Sequence, residues 1–390
     1  MKVGIIMPLA GLHGGAEFML LDLLRANKLQ HQIDYTVVFF EPGPLVDEVK
    51  ALGYPVFVLK VGKLRQLHRY ASALISIYLW MKREKIDLVM SWMSKAHLYA
   101  APAAMAAKVN AVWYQHGIPE EDDKAERLLA RIPAKAVCCP SQAAQHAINR
   151  INPGLPTRVI YPSVDLEAFN PQAAPRVEEV RRQLGLPVDA SIVGIIARLQ
   201  RWKGVHVFID AAAFVARVQP NAHFVIVGSS HHSEPEYPDE LKLQAAKAGI
   251  ADKVHFVGFQ NQLTDWIQSF DILVQASVQE PFGMVVIEGM AMGKAVIATK
   301  AGGPKESIVH GENGMLVPPN DPASLASTIQ KLIVDKNFYS RLSRAGMERA
   351  KAFSKERLSV ELAEFFGNLN SGPQKRQTSV QEPLAKEVGN

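Results

Sequence analysis

Apolar runs of strand length recur along the chain, spaced so that a helix fits between most successive pairs. Val3 to Met7, Tyr35 to Phe40, Val56 to Leu59, Asp87 to Ser91, Ala111 to Tyr114, Ala136 to Cys139 and Val159-Ile160 read as one set of strands. Ile192 to Ile196, His223 to Val227, Val254 to Val257, Ile272 to Val274, Ala295 to Ala298 and Met315 to Val317 read as a second set. Strands alternating with helix-compatible stretches predict right-handed βαβ units and parallel sheets, hence an α/β fold with two doubly wound sheets. No internal repeat relates the two halves. The turn-rich segment Tyr161 to Pro175, with three prolines, reads as the linker between domains 1–163 and 164–354. Leu64 to Lys82 reads as an amphipathic helix with Leu67, Ala71, Leu74, Ile75 and Tyr78 on its packed face. Glu356 to Phe366, within 355–367, reads as a final amphipathic helix, and the polar segment 368–390 as a disordered tail.

Composition narrows this picture without changing it. At 390 residues, 48% apolar and 21% charged, the chain has room for two ordinary cores. No apolar run approaches the roughly 18 residues of a membrane span, and the first strand begins too early for a signal peptide. A cytoplasmic protein is expected, with peripheral attachment to the inner face of the plasma membrane as a further option. Cys138 and Cys139 adjoin at the end of an apolar run and read as reduced, packed thiols. The net charge of +5 lies in residues 1–165, where 19 Lys and Arg meet 14 Asp and Glu. Without a basic stripe interleaved with aromatics, nucleic acid is not an expected partner. The span Lys60 to Lys85 holds seven cations and one acid, Glu84, and suits either an anionic lipid surface or a solvated helix face.

The candidate chemistry centres on 270–306. A strand ends, a short polar loop carries Glu280, and Pro281-Phe282-Gly283 precedes a helix with Met284, Ile287, Met290 and Ala291 on one face and Glu288 beyond Met284 and Val285. The first backbone N–H groups of that helix, with its positive end behind them, form a site for an anion or for hydroxyls. An ionised carboxylate can accept hydrogen bonds from two neighbouring alcohols of a sugar or ribose. Arg198 and Lys203 follow the strand Ile192 to Ile196 and read as loop cations, facing either a ligand or solvent, whose removal should barely affect folding. Gly14 and Gly15 lie in the glycine-rich turn after the first strand, which lacks dinucleotide-fingerprint spacing. His116 ends the strand containing Trp113 and Tyr114. The acids Glu120 to Asp123 read as the first turn of a helix rather than a metal site.

Glu280, seven residues, Glu288, with Phe282-Gly283 between them and Gly302, Gly303 and Glu306 beyond, together with Arg198, Lys203-Gly204 and the Val164, Asp165, Phe169 hinge, resemble the retaining, GT-B-fold glycosyltransferases of family 4. The resemblance covers about residues 1–367. It implies two Rossmann-like domains facing across a cleft, with the last helix returning to the first domain. It also implies a nucleotide-sugar donor, a saccharide or lipid-linked acceptor, and no cofactor or metal. Arg198, Lys203, Glu280 and His116 would serve the chemistry. Gly15, Phe259, Phe282, Gly283, Met284, Val285 and Glu288 would bind the donor, with Glu288 on the ribose and the base near Val257 to Gln260. Gly14 and Glu17 would line the acceptor side.

Two positions depart from the family pattern. Gly289 stands where Ala is more usual, which would loosen the helix slightly, and Lys300 where Asp is frequent. A nucleotide-sugar epimerase on the same architecture and a non-catalytic nucleotide-sugar-binding protein are the alternatives. No acid/base pair for sugar C2 and C3 is identifiable, and the charged set Arg198, Lys203, Glu280 and Glu288 favours the transferase.

Overall fold

A computed structural model describes residues 1–62, 66–230 and 232–370. It contains thirteen strands, each within two residues of its expected bounds. The first seven are β1 (Lys2–Met7), β2 (Asp34–Phe39), β3 (Val56–Val58), β4 (Leu88–Trp92), β5 (Asn110–Tyr114), β6 (Ala136–Cys139) and β7 (Thr157–Val159). The remaining six are β8 (Ser191–Ile196), β9 (Ala222–Val227), β10 (Val254–Gly258), β11 (Ile272–Gln275), β12 (Ala295–Thr299) and β13 (Met315–Val317).

They form two wholly parallel sheets, ordered β3-β2-β1-β4-β5-β6-β7 and β10-β9-β8-β11-β12-β13. In the first, Ile5 of β1 pairs with Val37 of β2 and Met90 of β4. In the second, Val193 of β8 pairs with Phe224 of β9 and Ile272 of β11. Strand order therefore reverses between β1 and β4 and again between β8 and β11. Helices leave the sheet to opposite faces at such a point, and the loops at the strands' carboxyl ends part to leave a crevice. The loops out of β1 and β8 are the Gly14-Gly15 turn and the Arg198 to Gly204 segment. Both sheets are covered on two sides, which explains strands as continuously apolar as β1 and β12.

The chain divides into two compact units, residues 1–163 with the final helix, and residues 164–354. The final helix, Lys355–Asn370, buries Leu358, Leu362 and Phe366 in the first unit's core beside Leu20, Leu23 and Leu24. Arg357 ties this helix to the end of the first unit by donating to the carbonyls of Tyr161 and Pro162 at 2.7 and 2.8 Å. The helix runs three residues into the segment expected to be tail, and 371–390 lies outside the described residues.

Two local expectations change. The helix Leu67–Glu84 buries Ala73, Ile77, Trp80 and Met81, whereas Leu67, Ala71 and Ile75, expected on its packed face, are exposed. Apolar residues occur on both sides of this helix, so periodicity does not fix the buried one. Packing does: Trp80 lies over Gly4 of β1, where a Cβ would sit 2.4 Å from the ring. Lys63 and Arg65 of the basic span, and the expected helix start at Leu64, lie outside the described residues. The acidic run also differs, because Glu120, Glu121 and Asp122 precede the helix Lys124–Leu129 and only Asp123 engages it, as N-cap, accepting from the Ala125 N–H at 2.7 Å. Cys138 and Cys139 are free and buried, and burial pushes the Cys139 thiol up to about 12.

Candidate active site

In the second unit the site is built from loops leaving the carboxyl ends of β8, β10, β11 and β12. After β8 the chain runs beside the segment following β9, with Leu199 bridging Ser230, and then makes a tight turn at Arg201–Lys203. Gly204 ends that turn at φ 70°, and a Cβ there would lie 2.0 Å from the Ala276 carbonyl oxygen. The Trp202 carbonyl accepts from the Val278 N–H at 2.8 Å. This loop is therefore held against the loop after β11, which brings Lys203 to Glu280, Nζ to Oε2 2.7 Å. The ammonium also lies 4.1 Å from the centre of the Trp202 ring. Both charges are largely shielded, with side chains 16% and 10% exposed. Lys203 is thus not the solvent-facing charge that a loop position suggested. Arg198 is exposed and makes no ion pair among the described residues.

Glu280 is fixed through backbone and side chain alike. Its carbonyl accepts from the Gly303 N–H at 2.8 Å, and Gly302, at φ 78°, passes so close that a Cβ would lie 2.1 Å from that oxygen. Only glycine combines that conformation with that approach. Beyond Lys203, Glu280 Oε2 accepts from Ser277 Oγ at 2.8 Å and Gln275 Nε2 at 3.1 Å.

Phe282 is then buried against Phe353, ring centres 5.5 Å apart, and Gly283 enters the helix Met284–Ala291 in the left-handed region. Gly283, as N-cap, has no side chain to cap this helix; the Val286 N–H donates to the Gly283 carbonyl at 2.9 Å, and the N–H groups ahead of it precede the regular helical ladder. Val286 and Ile287 join Met290 and Ala291 in the packed face, while Met284, expected there, is only partly buried. Glu288 is partly buried on the second turn. Gly289 has a packing reason: a Cβ would meet Leu273 of β11 at 2.3 Å, so the residue lets helix and strand approach. Phe259, directly after β10, is 42% exposed at the same edge of the sheet.

The first unit assembles the other named residues. Gly14 opens the helix Gly15–Gln30, whose first turn carries the buried Glu17, its Oε2 3.1 Å from where a Gly14 Cβ would stand. Trp92 at the end of β4 donates Nε1 to the Ala16 carbonyl at 2.9 Å. The same indole lies 5.1 Å from the His116 ring, which stacks on Tyr114 at 4.6 Å. His116 Nε2 is buried with no hydrogen-bond partner, and burial pushes the imidazole down to about 3. It is a neutral ring with an unused polar atom. Among the described residues no group of three or more His, Cys, Asp or Glu is placed to hold a metal ion.

The family model for Glycosyltransferase Family 4 matches residues 13–168, and the model for Glycosyl transferases group 1 matches residues 176–349. The chain belongs to the family 4 glycosyltransferases. Its two parallel sheets are those of the GT-B class, and the Anabaena protein HepE, solved in complex with UDP-glucose, is similar over 94% of this chain and 100% of its own, at 29% identity and a TM-score of 0.83. Among curated relatives, the D-inositol 3-phosphate glycosyltransferases of Corynebacterium urealyticum and Streptomyces avermitilis are 31% and 34% identical. Those matches cover 55% and 53% of this chain and 52% and 46% of the relatives, so the chain spans about half the length of the curated relatives it matches.

In the second unit, the structure brings Lys203 into contact with Glu280, and sets Arg198, Phe259, Phe282 to Val285 and Glu288 around the same sheet edge. Gly14, Gly15, Glu17 and His116 belong to the first unit. Sequence reasoning missed Gln275, Ser277 and Trp202. The available signal was the change from a wholly apolar strand to Gln275 and Ser277 immediately before an acid, since buried polar side chains at a strand end imply hydrogen-bond partners.

Proposed function

We propose that this chain transfers a hexose-type sugar from a nucleotide-sugar donor to an acceptor hydroxyl, with retention of anomeric configuration and without a metal. The observation that carries the reading is the Lys203–Glu280 contact beside the uncapped N-terminus of Met284–Ala291. It joins a cation, a carboxylate and a helix N-terminus at one sheet edge. Leaving-group charge grows on the diphosphate as the anomeric C–O bond breaks, and Arg198, Lys203 and the helix N-terminus receive it. The acceptor oxygen forms the new bond to the anomeric carbon on the same face, and its proton passes to the departing phosphate oxygen. Glu280 accepts hydrogen bonds from the transferred sugar, and Glu288 from the ribose. By the family resemblance, His116 would serve the sugar, and the Gly14-Gly15 turn with Glu17 the acceptor.

HepE bound to UDP-glucose favours a uridine donor, and the similarity to D-inositol 3-phosphate glycosyltransferases favours a polyol or saccharide hydroxyl as acceptor. The exposed Leu67, Ala71, Ile75 and Leu79 follow one another at helical spacing of four, with Arg69, Lys82, Arg83 and Lys85 also exposed, which favours an anionic membrane partner. No helix among the described residues is long and apolar enough to cross a membrane. The test is a thermal-shift screen with UDP-, GDP- and ADP-glucose. A ligand at about 100 times its dissociation constant adds roughly 2.7 kcal/mol, enough to raise the melting temperature by several degrees. No shift with any of the three would reject the reading.

A further inference from the structure

A single oxygen of Glu280 accepts from three side chains, and only one of them is charged. Lys203, Ser277 and Gln275 converge on Oε2 at 2.7, 2.8 and 3.1 Å. Ser277 and Gln275 are themselves buried, at 1% and 5% exposure. Each is held from behind by Thr299 at the end of β12. The Thr299 hydroxyl donates to the Ser277 carbonyl at 2.5 Å, and Gln275 Oε1 lies 3.4 Å from both the Thr299 N–H and its hydroxyl. The Thr299 N–H on Gln275 Oε1 and the Glu280 carboxylate that accepts from Nε2 together fix the amide with its NH2 toward Glu280, the single Thr299 hydroxyl proton being committed to the Ser277 carbonyl.

The arrangement answers a difficulty in the proposed chemistry, on which this inference rests. If Lys203 turns toward the diphosphate when donor binds, Glu280 loses its only charged partner among the three. A carboxylate held by the lysine alone would then swing with it or be left unpaired and buried. We infer that Gln275 and Ser277, braced by Thr299, are positioning residues that keep the Glu280 carboxylate fixed for the transferred sugar while Lys203 engages phosphate. Oε2 stays occupied by two neutral donors, and Oε1 is left to meet sugar hydroxyls. The effect belongs to the sugar and not to the nucleotide: these residues should raise the affinity of a sugar nucleotide above that of the free diphosphate, and do so only through Glu280.

The experiment is a titration cycle. Ser277→Ala, Gln275→Leu and Glu280→Gln are made singly, and the first two also in the Glu280→Gln background. Calorimetry then compares the nucleotide-glucose that wild type binds most tightly, among UDP-, GDP- and ADP-glucose, with its free nucleoside diphosphate. Loss of one hydrogen bond to a charged group corresponds to about ten-fold. Ser277→Ala and Gln275→Leu should each weaken the sugar nucleotide by about ten-fold and the free diphosphate by less than two-fold. Neither should cost anything further once Glu280 is Gln, and Ser277→Thr, which keeps the hydroxyl, should retain most of the affinity. Equal losses in both backgrounds, equal losses for free diphosphate, or full affinity in the single variants while Glu280→Gln is impaired would overturn the positioning role. Glu280→Gln binding as wild type would instead overturn the assignment of Glu280 itself. Binding of none of the three by wild type would overturn the donor reading and this inference with it.

Discussion

Replacing Lys203 by Gln should produce two losses that Arg198→Gln separates. Lys203 is a partly buried cation bonded to a buried carboxylate, so its removal strips the strongest of three donors from Glu280. Hydrogen bonds to charged groups contribute about 1.5–3 kcal/mol, and Gln275 and Ser277 remain to limit the damage. We expect Lys203→Gln to lower stability by about 1–3 kcal/mol, or roughly 2–10 °C in Tm for a unit of this size. Arg198 is exposed without an ion pair among the described residues, so Arg198→Gln should lie within about 0.5 kcal/mol of wild type. Catalytically the two should be alike. On the proposed mechanism each variant loses a cation that meets developing phosphate charge, and kcat should fall by about 10²–10³ with KM changing less. Glu280→Gln added to Lys203→Gln should recover most of the lost stability, since removing both partners leaves no unpaired charge. Steady-state kinetics on the tightest-binding nucleotide-sugar, with calorimetric melting, reads both effects. Near-wild-type kcat in both single variants would refute the leaving-group role. An unchanged melting temperature in Lys203→Gln would refute the structural contact.

Three further outcomes are expected. Gly289→Ala should lower stability by about 1–2 kcal/mol despite Ala's better helix propensity of about 1 kcal/mol, because the added methyl overpacks against Leu273; a higher urea midpoint would contradict this. The His116 ring, held near 3 against about 6.5 when unfolded, refuses a proton that the unfolded chain accepts, so stability should fall as pH drops from about 6.5 toward 3. His97, pushed down to about 4 by burial, adds to the same trend; His116→Phe should make the fall shallower, and His116 ring resonances should not titrate between pH 8 and 5. Co-sedimentation with anionic vesicles should weaken steeply with salt and drop in an Ile75→Glu, Leu79→Glu variant, while equal binding to neutral vesicles would count against the basic, apolar helix face as a lipid contact.

Much of this was legible in the sequence because parallel strands covered on both faces leave continuous apolar runs that survive without context. The carboxyl-edge loops were legible for a related reason: Gly204, Gly302 and Gly303 sit where another backbone passes within van der Waals range, and such positions read as punctuation beside the charges they align. Side-chain partnership was less accessible. Nothing in the spacing of Lys203 and Glu280, 77 positions apart, showed that the lysine is held by the acid, nor that Gln275 and Ser277 share the same oxygen. The buried side of Leu67–Glu84 was misread because both faces are apolar, and only the seating of Trp80 over Gly4 decides between them. Gly289 looked like a weakness of its helix when considered one-dimensionally, and becomes a packing requirement once Leu273 is opposite.

The most direct measurement of the central claim is the anomeric configuration of the product formed in excess EDTA. Proton NMR, recorded as the nucleotide-sugar is consumed, reads the coupling of the anomeric proton before mutarotation can mix free sugar. If Arg198, Lys203 and the helix N-terminus carry the leaving diphosphate as proposed, turnover persists in EDTA and the donor's configuration is retained. Inverted product, or turnover that stops until Mg²⁺ or Mn²⁺ is restored, would contradict the account.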